Sequence, residues 1–388
     1  MQVIAAALLT LLLAVGVNFL VDPMGMFFAV RQPGINVYKP EVLNYWRIAL
    51  PLRAHLLRPE AAVLGSSRVL SGIDTAHPYF RGKLTANLGL PSATLCDVAD
   101  AFEVAAAGGR LERAVVGLDF FAANTARIGP DCGLGESLAH PWRLLLLTLV
   151  SSDTLNASLK TVTKQRRVDP AIWQPTPAGS ASLHPDYVAK RGGLREMFIE
   201  LERTYAGSYY LIPPTCDFRL DAADGSPGGV DHLRRLLRSA HAHRVELRLF
   251  FSPEHARLIE LARATRLLER YRQWLASVDA VNREEAARAG RAPFILALPD
   301  DPRWTTAVVP PRSDTLTQPS YFWDSSHYTR LVGNAILDSF DDTKSVGTAI
   351  DFGPIADRAQ AYLLARPDEY AEVTKAAERA IQQCTPAR

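Results

Sequence analysis

Two short stretches of this chain hold the residue types that make a nucleophile, a base and an orienting acid. The first is Gly65-Ser66-Ser67-Arg68, which follows the apolar run Ala61-Ala62-Val63-Leu64. The second is Phe322-Trp323-Asp324-Ser325-Ser326-His327-Tyr328, towards the other end of the chain. A serine hydroxyl is a weak nucleophile until a neighbouring imidazole takes its proton, and the imidazole does so only when its other nitrogen is held in the right tautomer. An acid three residues before a histidine reaches the ring across one turn, so Asp324 and His327 suit that task. Each stretch also has a plainer reading. Ser after Gly is a common turn or helix cap, and Asp324 is well placed to cap a helix beginning near Ser326.

The elements that must position these groups read as alternating strands and helices. Residues 61–64 form a short apolar run that stops at Gly65, as a strand buried on both faces does. Further apolar runs at 84–88, 114–121, 244–251 and 293–298 are separated by helical patterns at about 95–108, 194–205, 232–242 and 256–289. This alternation predicts an α/β fold with a parallel sheet, whose ligands collect at the carboxyl ends of the strands. Pro141 to Val150, with four consecutive leucines, is too short to cross a bilayer and reads as a buried helix. The Pro- and Gly-rich stretches between about 163 and 230 read as an insertion over the sheet, and 351–388 as helical decoration.

Val3 to Val21 is apolar except for Thr10, Gly16 and Asn18, long enough to span a bilayer and too long for a signal-peptide core. It reads as an uncleaved anchor (1–22), followed by a neck (23–59) and a body (60–350). Arg31, Lys39 and Arg47 follow the run and no basic residue precedes it, which by the positive-inside rule alone puts the body in the cytoplasm. Lys and Arg number 43 against 41 Asp and Glu, so the chain lacks the basic excess of a nucleic-acid binder. The four cysteines are too scattered for a zinc knuckle. Cys132 and Cys216 lie in loop-like surroundings and are candidates for a disulfide, whereas Cys96 reads as a core residue. His241 and His243 lack the further ligands a metal needs, so no metal and no cofactor are expected. Arg68 reads as a partner for a surface carboxylate. His255, with Ser252 and Glu254, follows a strand at the functional edge and is a candidate for the cleft. Trp142, Trp173, Trp304 and Trp323 are candidates for stacking on sugar rings.

Taken in order, Gly65-Ser66-Ser67-Arg68, Asn87-x-Gly89-x-x-Ser92, Gly117-Leu118-Asp119 and Asp324-x-x-His327 resemble the blocks of the SGNH/GDSL hydrolase superfamily. With the N-terminal anchor they are most similar to membrane-tethered relatives associated with alginate O-acetylation and teichoic-acid D-alanylation. The resemblance implies a three-layer α/β/α domain with an N-terminal transmembrane helix and a helical C-terminal extension. It makes Ser67 the nucleophile, His327 the base and Asp324 its orienting acid, with the N–H groups of Ser67 and Gly89 in an oxyanion hole. Ser66 stands where the family has Asp, and Asp119 where it has Asn. An ionised Asp accepts hydrogen bonds and donates none, so Asn124 is the substitute candidate for the third donor. Ser66, Arg68, Asn87, Asp119, Trp323 and His255 are the expected cleft residues. Further implications are a periplasmic body, an exported polysaccharide or acylated small molecule as substrate, and a multi-spanning membrane acyltransferase as partner. Hydrolysis and acyl transfer use the same triad and are not separated by these residues. The alternative is a catalytically inactive scaffold of the same fold that binds glycan or organises the envelope.

Overall fold

The computed structural model describes residues 2–28, 30–128, 141–166, 174–175, 181–182, 186–221, 225–340 and 350–384. Five strands form one sheet: β1 (Ala61–Leu64), β2 (Thr85–Asn87), β3 (Arg113–Leu118), β4 (Glu246–Phe251) and β5 (Ile295–Ala297). Their spatial order is β2-β1-β3-β4-β5, and every neighbouring pair is parallel. The sequence therefore builds outwards from β1 in both directions, and the chain reverses its course between β1 and β3. A crevice opens at such a switch point beyond the carboxyl ends of the strands.

Side chains alternate between two cores because the strand period is two. Ala62, Leu64, Val116, Leu249 and Phe251 point into the larger core, and Ala61, Val63, Val115 and Phe250 into the smaller. Helices cover both faces. On the larger side lie α2 (Val42–Leu57), α4 (Leu95–Ala107), α8 (Gly229–His243), α9 (Ala256–Ala264) and α10 (Leu268–Ala289). On the smaller side lie α3 (Ser67–Gly72) and α11 (Arg330–Ser339).

Several expectations change. The helix that the sequence suggests at 41–56 within the neck is present as α2, but it is no mere connector, since its Val42, Trp46, Leu50 and Ala54 belong to the larger core. The presumed insertion supplies α7 (Leu194–Thr204) and a π-helical turn, Tyr205–Tyr210, whose Tyr205 and Tyr210 are also core residues. The C-terminal decoration is structural too. In α12 (Gly353–Leu364) and α13 (Pro367–Cys384), Ile355, Leu363 and Val373 pack into the same core. The long helix expected over 256–289 is two helices, because Arg266 adopts a left-handed conformation that ends α9. Cys216 pairs with Cys384, not with Cys132, because α13 brings its last residue against the loop after the π-helical turn. Cys96 is buried, as a core residue should be, and is disulfide-bonded as well. Cys132 and Trp173 lie outside the described residues.

Among the described residues, one helix, α1 (Gln2–Val21), is long and apolar enough to cross a membrane. Beside its last turns lie α5 (Pro141–Val150) and α6 (Ser152–Lys164). The expectation that residues 141–150 form a buried helix fails: Leu145 is covered, but Trp142, Leu146, Leu147 and Val150 are exposed. On its covered side α5 packs Leu145 with Met24, Met26, Ala49 and Leu52, and at its start Trp142 lies edge-on against His55, with ring centroids 5.6 Å apart.

The contact of α3 with α11 fixes the distance between the serine stretch and the histidine stretch. A Cβ on Gly333 would lie 1.9 Å from the Gly72 carbonyl oxygen, and one on Gly72 would strike the Tyr328 ring. The two backbones can meet this closely only without side chains. Gly333→Ala should therefore force α3 and α11 apart and lower stability by about 1–3 kcal/mol, the usual range for overpacking. Chemical denaturation checks this; a variant as stable as the parent would show that the helices are not pressed together.

Candidate active site

Gly65 ends β1 with φ +144°, and a Cβ there would meet the Gly117 carbonyl at 2.8 Å, so the turn into α3 requires glycine. Ser66 caps α3 by accepting the Arg68 N–H at 3.2 Å. Ser67 is the first residue of that helix, half-buried at the carboxyl edge of the sheet. The cap settles the role of the neighbouring hydroxyl: Ser66 is buried and structural, not part of the cleft.

The structure brings Ser67 and His327 together across 260 residues of chain, with Oγ 2.8 Å from Nε2. His327 Nδ1 lies 2.7 Å from Asp324 Oδ2. Because a carboxylate only accepts, this contact places the ring proton on Nδ1 and leaves Nε2 as the acceptor for the serine proton. The other oxygen, Asp324 Oδ1, accepts the N–H groups of Ser326 at 2.8 Å and His327 at 2.7 Å. Asp324 thus shapes the turn and holds the ring at once. It does not cap a helix, since α11 starts only at Arg330 with Thr329 before it. A small hairpin closes the turn: Trp323 N–H donates to the His327 carbonyl at 2.8 Å, and Phe322 bridges to Tyr328.

Arg68, next to the serine, is not a surface ion pair. It is fully buried and donates to five acceptors: Asp119 Oδ1 at 2.9 Å, Glu254 Oε1 at 3.2 Å, Ser326 O at 3.0 Å, Ser252 O at 3.2 Å and Pro253 O. These acceptors follow β3, follow β4, and lie in the histidine turn. One cation between two buried carboxylates leaves one negative charge without a partner when both ionise. Burial pushes the Glu254 carboxyl up to about 7, with Asp119 adding to the rise and Arg68 opposing it.

Four of the other expected residues serve the framework. Asn87 is buried, donates to Val69 O at 2.9 Å and accepts the Gly89 N–H at 3.0 Å. Gly89 therefore spends on its own loop the donor expected in the oxyanion hole. Asn124 is also buried; its amide donates to Tyr209 O at 2.9 Å, and its oxygen accepts from Ala126 and Arg219. It cannot replace the donor missing at Asp119. His255 is buried among aromatic rings, with Nε2 2.8 Å from Ala307 O, and burial holds its pKa down at about 3. It stays neutral and lies away from the cleft. Trp323 does border the site: with Tyr187, Arg191, Glu200, Asp324 and His327 it lines a cavity of about 150 Å³. Trp142 is on exposed α5, and Trp304 packs against the smaller core.

Sequence reasoning missed Tyr205 and Tyr209. Tyr205 Oη is 2.6 Å from Ser326 Oγ, and Tyr209 Oη is 2.6 Å from Ser92 Oγ, so the π-helical turn supports both the histidine turn and the loop after β2. The tyrosines at 205, 209 and 210 were a visible signal, but a π-helical turn has no spacing that marks it in advance. Trp46, from the supposed neck, donates to Gly89 O at 3.1 Å. Among the described residues, no group of three His, Cys, Asp or Glu is arranged to hold a metal ion.

The native state binds the Glu254 proton more tightly than the unfolded chain does, from its ordinary 4.5 up to about 7. Its contribution to stability is thus complete below pH 4.5 and is lost as pH rises to about 7, on the order of 3 kcal/mol in all. Glu254→Gln keeps an acceptor for Arg68 and removes the titration. Stability measured by denaturation at intervals from pH 4.5 to 8 should fall less steeply in the variant, and identical slopes would exclude Glu254 as the source.

Comparison with known proteins finds no family model, no curated protein and no solved structure that matches this chain.

Proposed function

We propose that this chain is a membrane-anchored serine esterase or O-acyltransferase of SGNH-like type, acting on acyl groups, chiefly acetyl, of an exported or cell-envelope polysaccharide. The observation that carries the reading is the hydrogen-bonded series Ser67 Oγ, His327 Nε2 and Nδ1, Asp324 Oδ2, at 2.8 and 2.7 Å. In the first half-reaction Ser67 Oγ attacks the acyl carbonyl carbon while its proton passes to His327 Nε2. The bond to the leaving oxygen then breaks as His327 returns the proton to it, leaving an ester on Ser67. Water or a sugar hydroxyl next gives its proton to Nε2 and attacks that ester, and Ser67 departs reprotonated. Asp324 stabilises the imidazolium in both halves. The Ser67 N–H, at the start of α3, has no partner within the helix and would be the backbone donor to the developing oxyanion.

The strand order and the placement of Ser67 at the switch point fit an SGNH-like three-layer domain. The disulfide Cys216–Cys384 and the one at Cys96 favour an oxidising compartment. They support a periplasmic body on an inner-membrane anchor, against the orientation drawn from Arg31, Lys39 and Arg47. If the reaction is transfer, a multi-spanning membrane acyltransferase would supply the acyl group.

A second reading has an observation of its own. With the Gly89 N–H held by Asn87 and the Asn124 amide held by the Tyr209 carbonyl, two of the three expected oxyanion donors are used elsewhere, as suits an inactive glycan-binding or assembly scaffold. A fluorophosphonate probe and a small acetyl ester separate the two. An enzyme should be labelled at Ser67; Ser67→Ala should abolish labelling, and Asp324→Asn should slow turnover by on the order of 10³–10⁴-fold. A folded protein with neither labelling nor turnover is the scaffold.

A further inference from the structure

Among the described residues, about half of the large apolar side chains left exposed outside α1 lie on the three segments that meet its last turns. Leu146 (62% exposed), Leu147 (54%) and Val150 lie on α5, Leu159 (58%) and Val162 on α6, and Val30, Ile35 and Tyr38 on the segment after α1, while Trp142 at the far end of α5 lies against His55. An apolar patch of this kind, continuous with a spanning helix, has a partner.

The height of the patch along α1 identifies that partner. Asn18, one turn from the end of α1, donates through Nδ2 to Leu149 O at 2.8 Å and Ser151 O at 3.4 Å, and accepts from Ser158 Oγ at 3.0 Å. The α5–α6 connection is therefore level with residue 18. At that same level Val17, Phe19 and Leu20 remain exposed on the other side of α1. Only the last turns of α1 meet protein, and residues 2–13 are exposed throughout. Those 12 residues reach roughly 18 Å at 1.5 Å per residue, short of the roughly 30 Å hydrocarbon layer that the whole described helix matches. Hydrocarbon that covers Phe19 and Leu20 must then also meet the α5–α6 surface. Burial of Asn18 against two carbonyls and a hydroxyl is what a polar residue inside a membrane requires. Arg143 and Lys160 can extend their charged ends to the headgroups, and the exposed Ser152, Asp153, Asn156, Thr163 and Lys164 of α6 hold that helix at headgroup level, with Leu159 and Val162 as its apolar contacts.

We infer that the α5–α6 hairpin is a second membrane element, seated at the interface of the leaflet nearest the body and packed against the anchor, with lipid acyl chains as the occupant around its exposed Leu146, Leu147, Val150, Leu159 and Val162. The body is thereby seated on the bilayer and not merely tethered to it. The inference rests on α1 spanning the membrane, and the test reads the two separately.

The described residues hold no free cysteine, so an introduced thiol can carry a spin label. The full chain, reconstituted in phosphatidylcholine vesicles, would be labelled at Leu147→Cys, at Leu159→Cys, at Leu8→Cys within α1, and at Glu269→Cys as an exposed control. Accessibility to oxygen, which concentrates in lipid, is compared with accessibility to a water-soluble nickel chelate. Labels at 147 and 159 should resemble the one at 8, with an oxygen-to-nickel ratio several-fold above that at 269. A ratio equal to that at 269 overturns the inference and leaves the anchor intact. Low accessibility to both reagents means that a second copy covers the face, which also overturns it. A nickel-accessible label at 8 removes the spanning reading and, with it, a hairpin packed against a membrane anchor, so that outcome overturns the inference whatever the labels at 147 and 159 show.

Discussion

The buried guanidinium of Arg68 is the interaction on which the arrangement of the site depends. Taking a positive charge out of water is expensive, and the cost is offset only when the surrounding groups satisfy the ion. Here two carboxylates and three backbone carbonyls do so. A planar guanidinium with five N–H donors suits that ring of acceptors, where a lysine with three donors does not. The acceptors come from the ends of β3 and β4 and from the histidine turn, while Arg68 itself is next to Ser67. One side chain therefore ties the helix that carries the hydroxyl to the loop that carries the imidazole.

This economy explains why Asp119 stands where an amide donor was expected. An Asn at 119 would leave Arg68 with Glu254 as its single carboxylate partner. The Asp supplies a charge to the buried cation and gives up a donor at the site. Asn87 and Asn124 are likewise used on backbone groups, which leaves the N–H groups at the start of α3 as the donors next to the Ser67 hydroxyl. Positioning of the triad is thus heavily supported, while stabilisation of an oxyanion depends on backbone alone. The two features pull the functional reading in opposite directions, and turnover decides between them.

What the sequence made legible follows the range of the interactions concerned. The strands and the order of the blocks were readable because apolar runs that end at glycine or a polar turn are local signals. Ser67, His327 and Asp324 could be nominated because each sits in a short pattern with a chemical reason. Partnerships set by tertiary packing were not readable: Cys216 with Cys384, Arg68 with Asp119 and Glu254, Trp46 with Gly89. Arg68 looked like a surface residue because burial of an arginine is decided by acceptors far away in sequence. Pro141–Val150 looked buried because composition cannot tell a helix covered by protein from one covered by lipid. His255 followed a strand as a cleft residue would, but the loop carrying Ala307 closes over it.

The C-terminal helices bear on the chemistry although they are remote from it. Arg257, buried on α9, holds Glu202 of α7 with two bonds at 2.7 and 2.8 Å and also reaches Glu369 and Glu372 of α13. The end of α13 is joined by Cys384 to Cys216, just beyond the π-helical turn that continues α7. The segment that presents Tyr205 to Ser326 is therefore held before and after by the same terminal helix. A π-helical turn is an unfavourable conformation that persists where its surroundings fix it. Since Ser326 precedes His327 and its carbonyl binds Arg68, the orientation of the imidazole depends on the ion cluster beneath it and on α13, which braces the tyrosine segment from outside. The last helix of the chain thus belongs to the machinery that keeps His327 aimed at Ser67.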